Sequence, residues 1–478
     1  MFKARMKTSV VTTLLIAAAI TQTACTQGQN YQRPSLDLPA RWQDGLSPAA
    51  KNPADWWKVF NDPALDTLVE EALKHNRDLA AAVARIEEAR ANLTVTDADR
   101  WPTVFGTTNT ARTQITQRNA TPLFPGVPIE SSANRITLAA AYETDFWGKY
   151  SRASEAARAE LLRTEAARDA VRLGLVADVV SGYYALVSLA GQERAAQRTL
   201  ATRDELAGLQ AKRFAAGVAS ELEVRTTEAE REAARVQQTA ITRARSIEDA
   251  RLAVLLGRSA RDIWEKRLAA ADGTALDLPA PPAVPEGLPS DLLERRPDIR
   301  EAEQRLIAAN ARIGAARANY FPSITLTGFL GTESAALSNL FSGPAFVWQL
   351  AAALTQPIWG AGRVDAQVAA ATARQKEALA NYEKAVQKSF ADVRIALAAH
   401  QAARETAEAQ TRRSAALAQA FKLARLRYDN GVSSLLEVLD AERNLLGAEL
   451  SRLDALTTQR TAVADLIKAL GGGWAAQN

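Results

Sequence analysis

The chain has 478 residues, 47% of them hydrophobic but only 6% aromatic, with alanine making up much of the difference. That composition favours long helices over compact, aromatic-rich cores. A formal net charge of +4, from 58 basic and 54 acidic residues, gives no basis for nucleic-acid binding.

The chain opens with a basic start (Lys3, Arg5, Lys7), an apolar run from Val10 to Ile20, and small or polar residues up to Ala24. This reads as a secretory signal peptide over 1–24, too short to span a bilayer permanently. Cys25, the only cysteine, follows directly. A cysteine there looks like the lipid-attachment site of bacterial lipoproteins, although Gln22 stands where such proteins usually carry Leu. Thr26 replaces the Asp that in many of them signals inner-membrane retention, so this resemblance points to the outer membrane. Acyl chains bury about 0.8 kcal/mol per methylene, so several of them on one residue make a firm anchor.

After a loose lipidated segment, 25–61, Asp62-Pro63 supplies an N-cap and a tolerated first-turn proline. Leu65, Leu68, Val69, Ala72 and Leu73 follow at helical spacing, and the pattern runs to about Arg100, where Trp101-Pro102 stops it. The period then changes. Strands are expected at 103–116 and 135–147, the second with Ile136, Leu138, Ala140 and Tyr142 alternating with small or polar residues. A proline-free helical pattern runs from Tyr150 to about Phe214, a rod of roughly 90–100 Å at 1.5 Å per residue. Such a length implies coiled-coil-like packing. A turn at Gly217 and a return helix to Leu255-Leu256-Gly257 complete a first repeat over 62–277, and a Pro-rich linker follows at 278–289.

The second repeat, 290–471, restates the first. A helix over Ser290 to Asn319 stops at Tyr320-Phe321-Pro322; strands are expected at 323–331 and 346–358; Trp359-Gly360 echoes Trp147-Gly148. A second long helix carries Leu379, Tyr382, Val386, Phe390, Val393 and Leu397 in heptad register to a turn at Gly431. The return helix ends at Leu470-Gly471, leaving a tail at 472–478. The two turns lie about 214 residues apart and align closely, Arg213 to Val224 against Arg427 to Val438. In each, Gly supplies the left-handed residue past a helix end. Ser220 with Glu223, and Ser434 with Glu437, are each expected to form a capping box.

The four strands have transmembrane length and aromatic ends of the kind that form interfacial girdles. An open sheet of four cannot sit in lipid, because its edges would carry unpaired backbone groups. Either several chains share a barrel, or the strands are ordinary hairpins in water. The helical pairs carry much Ala surface and no separate globular core is evident. A ring of helices shared among chains would bury that surface around a central bore.

Trp56-Trp57 with Phe60, Asp62-Pro63-Ala64-Leu65, Asn76-Arg77-Asp78-Leu79, Glu294-Arg295-Arg296-Pro297-Asp298-Ile299-Arg300, both Gly-centred turns and Leu439-Asp440-Ala441 occur in order along the mature chain. Together they resemble the bacterial outer membrane efflux protein family, the TolC/OprM group with its NodT-type lipoproteins. The resemblance implies a mixed α and β membrane protein. Three chains, four strands each, would form a homotrimeric 12-stranded transmembrane β-barrel in the outer membrane, continued by a long periplasmic α-helical barrel. It implies a passive exit duct of a tripartite efflux system for drugs or other small molecules. Such a duct works with a periplasmic adaptor (membrane fusion) protein and an inner-membrane pump. It is not an enzyme, and it needs no cofactor beyond covalent lipid on Cys25, no metal and no nucleic acid.

In that family, side chains after the second turn close the periplasmic mouth, and the matching residues here are Leu436, Glu437, Asp440 and Arg443. Tyr428 and Glu223 match two positions of a lock between hairpins, whose Arg position is Ser433 here. The turns themselves, with Gly217, Val218, Gly431 and Val432, match the adaptor-docking surface. Simpler roles stay open: Glu437 completes a capping box, or Asp440 pairs with Arg443 along its own helix. Asp440 and Arg443 answer to Thr226 and Ala229 in the first copy, so they are not a need of every turn. His75 and His400 sit in helical patterns without a metal or nucleophile constellation, and the glycines from Gly471 to Gly473 precede no phosphate-loop Lys. Two other functions compete. A periplasmic coiled-coil adaptor or scaffold lipoprotein would show one hairpin flanked by β-rich domains. An exit duct for protein secretion would share the whole architecture.

Overall fold

A computed structural model describes residues 26–39, 55–118, 126–268 and 292–472. The signal peptide, Cys25, the linker at 278–289 and all but the first residue of the tail lie outside the described residues. The elements in order are a 3-10 helix Trp56–Phe60, α1 (Pro63–His75), α2 (Arg77–Ala98), β1 (Thr103–Gln114), β2 (Glu130–Glu143), α3 (Lys149–Ala215), α4 (Glu221–Leu255), α5 (Ala260–Glu265), α6 (Leu292–Arg295), α7 (Pro297–Ala318), β3 (Ser323–Ser334), β4 (Phe346–Thr355), α8 (Arg363–Asp429) and α9 (Leu435–Ala469). The duplication is literal in length. α2 and α7 each have 22 residues, α3 and α8 each 67, α4 and α9 each 35.

Two compact units are built from this chain, one of residues 1–35, 86–163 and 302–382, the other of 36–85, 164–301 and 383–478. The first holds an antiparallel meander, β1-β2-β3-β4. Its registers run Val104–Ala140–Gly328–Leu350 in one row and Phe105–Ala139–Phe329–Gln349 in the next. Alternation along strands therefore sorts the side chains. Val104, Ile136, Leu138, Leu326, Leu330, Trp348, Leu350 and Leu354 share one face and are all exposed in the single chain. Thr107, Arg135, Thr137, Thr325, Thr327, Glu333 and Gln349 share the other with Phe105 and Phe329, and the Thr107 and Thr137 hydroxyls bond at 2.8 Å. The sheet is open at both β1 and β4.

Strand ends differ from those expected. β2 begins at Glu130 rather than 135, because Ser131, Ser132 and Ala133 pair with Thr113, Arg112 and Ala111 although they lack apolar alternation. It ends at Glu143 rather than 147, because Asp145 accepts from the Tyr150 and Ser151 amides at 2.9 and 2.7 Å and turns the chain into α3. β1 stops at Gln114, two residues short of 116, where its ladder with β2 ends at Glu130. β3 continues to Ser334, paired with Asn134, and β4 stops at Thr355, two residues before Pro357, which has no N–H to give. Beside the sheet, Trp147 stacks on Phe321 at 4.6 Å and donates its indole N–H to the Pro322 carbonyl at 2.8 Å.

An N-terminal strap is tied into the same unit. The Gln27 amide donates to Trp147 O at 3.0 Å. Arg152, only 6% exposed, donates to the carbonyls of Gln27 and Gly28 and to Asn30 Oδ1. Arg33 makes a bidentate pair with Glu303 at 2.7 and 2.9 Å. Gly28, at φ +89°, lies so close to Gly314 that a Cβ would come within 2.8 Å of its Cα.

The second unit has a conventional core, with Trp56, Trp57, Leu65, Val69, Val179, Val180, Tyr183, Leu186, Leu252, Leu256, Val463 and Ile467 buried together. The most apolar window of α3 is long enough to cross a membrane, but 67% of it is buried within the chain. Asp62 caps α1 through Ala64 N and Leu65 N, and its second oxygen accepts from the Tyr183 hydroxyl at 2.9 Å.

The helices expected as single elements over 62–100 and 290–319 each break once. Asn76 leaves helical geometry, caps α2 through Leu79 N at 3.0 Å, and donates to Leu255 O at the end of α4 at 2.9 Å. Gly257, at φ +70°, lets that end approach, since a Cβ would sit 2.1 Å from His75 O. At the second junction Arg296 plays the part. It donates to Ala469 O at the end of α9 at 3.0 Å and pairs with Asp298 at 2.7 Å and Asp392 at 2.9 Å.

Candidate functional site

Both hairpin turns of the second unit are built alike on the helix-ending side. The Val218 amide bonds back to Arg213 O at 2.9 Å and Val432 to Arg427 O at 2.8 Å, around Gly217 at φ +73° and Gly431 at φ +71°. This is the left-handed termination glycine permits. Gly217, Val218, Gly431 and Val432 are all exposed.

On the helix-starting side the turns differ. Ser220 and Glu223 form the full capping box: Ser220 Oγ accepts from Glu223 N at 3.3 Å, and Ser220 N donates to the Glu223 carboxylate at 2.8 Å. Ser434 has the dihedral angles of an N-cap but makes no side-chain bond. The expected second box is absent, and Glu437 is exposed and free of it. The same Ser-x-x-Glu spacing therefore does not by itself make a cap. The pairing of Tyr428 with Glu223 is absent as well. Glu223 is committed to the box, and the Tyr428 hydroxyl accepts instead from Gln210 Nε2 at 3.2 Å and Arg213 Nη1 at 3.1 Å. These bonds join α8 to α3 with donors where an acid was expected. Ser433 Oγ is buried without a partner, so no ion pair stands at that position.

Leu436, Glu437, Asp440 and Arg443 all lie on the exposed side of α9, Leu436 at 68% exposure. Leu435, Val438, Leu439 and Glu442 form the buried side. Asp440 accepts from Arg443 at 2.5 Å and from Asn444 at 3.1 Å, so it is paired along its own helix while remaining on the open face. Sequence reasoning missed the cluster beneath it. Arg203 of α3, 5% exposed, pairs with Glu230 of α4 at 2.6 Å and with Glu442 of α9 at 3.4 Å. Burial pushes the Glu442 carboxyl up, against the pull of Arg203. The signal was there: Glu442 occupies a core position in the apolar stripe of Leu435, Val438 and Leu439.

His400 is pushed down by burial and by Arg404. Among the described residues no group of His, Cys, Asp or Glu is arranged to hold a metal.

A family model described as Outer membrane efflux protein matches residues 68–258 and 288–472. Outer membrane protein OprJ of Pseudomonas aeruginosa is 36% identical over 477 residues, covering 97% of this chain and 96% of the relative. A probable outer membrane lipoprotein, SilC of Salmonella typhimurium, is 34% identical over 99% of this chain and 100% of its own. Among solved structures, the CmeC outer membrane channel of Campylobacter jejuni superposes with a TM-score of 0.88 at 25% identity, covering 95% of this chain and 96% of that one.

Proposed function

The chain belongs to the outer membrane efflux protein family and is an outer membrane efflux channel, and we propose that three copies join their sheets into one 12-stranded barrel. The observation that supports this reading best is the sheet: bare Leu, Ile and Trp side chains on one face, polar side chains on the other, and open edges at β1 and β4. Pairing β4 of one copy with β1 of the next removes every edge, which lipid requires. The paired helices α3–α4 and α8–α9 then form the periplasmic tube. An inner-membrane pump and a periplasmic adaptor load it, the adaptor docking on the turns at Gly217-Val218 and Gly431-Val432. The duct is passive and catalyses nothing. Lipid attached at Cys25 anchors it, and the strap from Gln27 to Arg33 ties that anchor to Trp147 in the turn between β2 and α3.

Extraction of outer membranes is expected to yield a detergent-requiring trimer whose gel mobility changes on heating. A soluble monomer without detergent would overturn the shared barrel. Cys25→Ser should abolish labelling by radioactive palmitate; retained label would place the lipid elsewhere. Replacing Tyr428 by Phe removes the acceptor that joins α8 to α3, a loss of about 1.5–3 kcal/mol for the charged bond. Single-channel conductance in planar bilayers is expected to rise in that variant. Unchanged conductance would make Tyr428 a packing residue only.

A further inference from the structure

From the sheet geometry we infer that Arg135, set against Glu333 beside it, governs the ionic selectivity of the barrel-lined part of the duct, each charge holding the other's bias in check. This rests on the shared-barrel reading, in which the polar face of the sheet lines the lumen. Arg135 lies on that face of β2, opposite Asn109 on β1 and Glu333 on β3. Its guanidinium carbon stands 4.2 Å from the centre of the Phe329 ring, and its Nε is 3.7 Å from Glu333.

Phe329 holds the cation without neutralising it, and an exposed contact of this kind contributes about 0.5–1 kcal/mol. The pair with Glu333 is loose, with the two side chains 38% and 45% exposed, so both charges remain wetted. Such a pair holds its partners weakly. Neither charge is therefore withdrawn from solvent, and each is met by an ion moving along the wall. Two residues along β2, Thr137 lies across from Gly331 and packs so closely on it that a Cβ there would come within 2.8 Å of the Thr137 side chain. Three copies around a closed barrel give a ring of three guanidinium groups backed by aromatic rings with three Glu333 carboxylates beside them, and because rings of fixed charge bias permeation, loss of either member unbalances the ring.

The test is the reversal potential in a KCl gradient, read from single channels of the full-length protein in planar bilayers. A Glu437→Gln background is used, in which the remaining mouth charges, Asp440 and Arg443, cancel. Arg135→Gln is expected to raise the potassium-to-chloride permeability ratio at least about twofold, and Glu333→Gln to lower it. Arg135→Lys should keep the ratio, because the charge is kept. Arg112→Gln, on the opposite face of the sheet, should leave the ratio unchanged. Conducting channels whose ratio ignores both Arg135→Gln and Glu333→Gln would overturn the inference, as would an equal shift in Arg112→Gln. Failure of the unsubstituted protein to form any channel would instead overturn the shared barrel.

Discussion

Replacing Arg203 by methionine is expected to lower the melting temperature sharply, and by an amount that depends on pH. Arg203 pairs with two carboxylates on different helices, the half-buried Glu230 and the buried Glu442, and it also donates to the Glu230 carbonyl at 2.9 Å. Removing one partner of a buried ion pair costs about 3–5 kcal/mol, because the other charge is left without compensation. Glu442 would be stranded most, with its side chain 10% exposed, whereas Glu230 at 25% can turn to water. The folded chain already holds the Glu442 proton more tightly than an unfolded chain does, since burial raises its pKa. Unfolding therefore releases a proton, and this group's contribution to stability falls as pH rises through the raised folded value. As pH falls the contribution improves, levelling off below the unfolded value of about 4.3. Without Arg203 the rise in pKa is larger, so the deficit of the variant is greatest at neutral pH and narrows in acid. Adding Glu442→Leu to Arg203→Met removes the stranded acid and should restore much of the loss. Circular dichroism melts in detergent at pH 7.5 and 5 measure all of this. An Arg203→Met protein that melts with the parent at both values would show that the cluster contributes nothing.

The second large effect is at the mouth. Neutralising both acids, Glu437→Gln with Asp440→Asn, is expected to reverse the charge preference of the channel rather than weaken it. The exposed face of α9 carries Glu437, Asp440 and Arg443, a net charge of −1 per chain. Removing one acid brings the face to zero; removing both leaves Arg443 alone, released from Asp440. Three copies around a bore would pass from about −3 to +3, and rings of fixed charge select ions by sign. Helix stability should hold, because Ser434 makes no cap bond and Glu437 is not part of one. Ser220→Ala provides the contrast, since it removes a working N-cap whose loss costs about 0.5–2 kcal/mol. Reversal potentials in a salt gradient should go from cation-selective through neutral in the single variants to anion-selective in the double one. Persistent cation selectivity in the double variant would put these acids off the conduction path.

The large elements were legible because their causes are local. Heptad spacing from Leu379 to Leu397, the change of period at Thr103 and Ser323, and the glycines at 217 and 431 each act within a few residues. The helix breaks at Asn76 and Arg296 were not legible. Their partners, Leu255 and Ala469, lie 179 and 173 residues away, and the apolar periodicity runs straight through them. The start of β2 was hidden for a related reason: Ser131 to Ala133 are strand because Ala111 to Thr113 lie beside them, not because of their own pattern. At the site, spacing placed Leu436, Glu437, Asp440 and Arg443 on one open face. It overstated the likeness of the two turns. The same Ser-x-x-Glu spacing makes a box at Ser220 and none at Ser434, a difference that spacing cannot carry. Tyr428 was expected to meet Glu223 past the first turn, whereas the residues it bonds, Gln210 and Arg213, sit on the long helix α3.

Helices of 67 and 35 residues occurring twice constrain how such a chain can change in evolution. Seven residues inserted into α8 alone would add about 10 Å to it, with no equal extension of α9 to return the chain. Lengthening α8 and α9 together still leaves the other hairpin short, so the two tips no longer reach one level. Growth or shortening of the duct must therefore come in matched steps in all four helices. Gaps that arise in quartets between members of the family, rather than singly, are the expected record of that constraint.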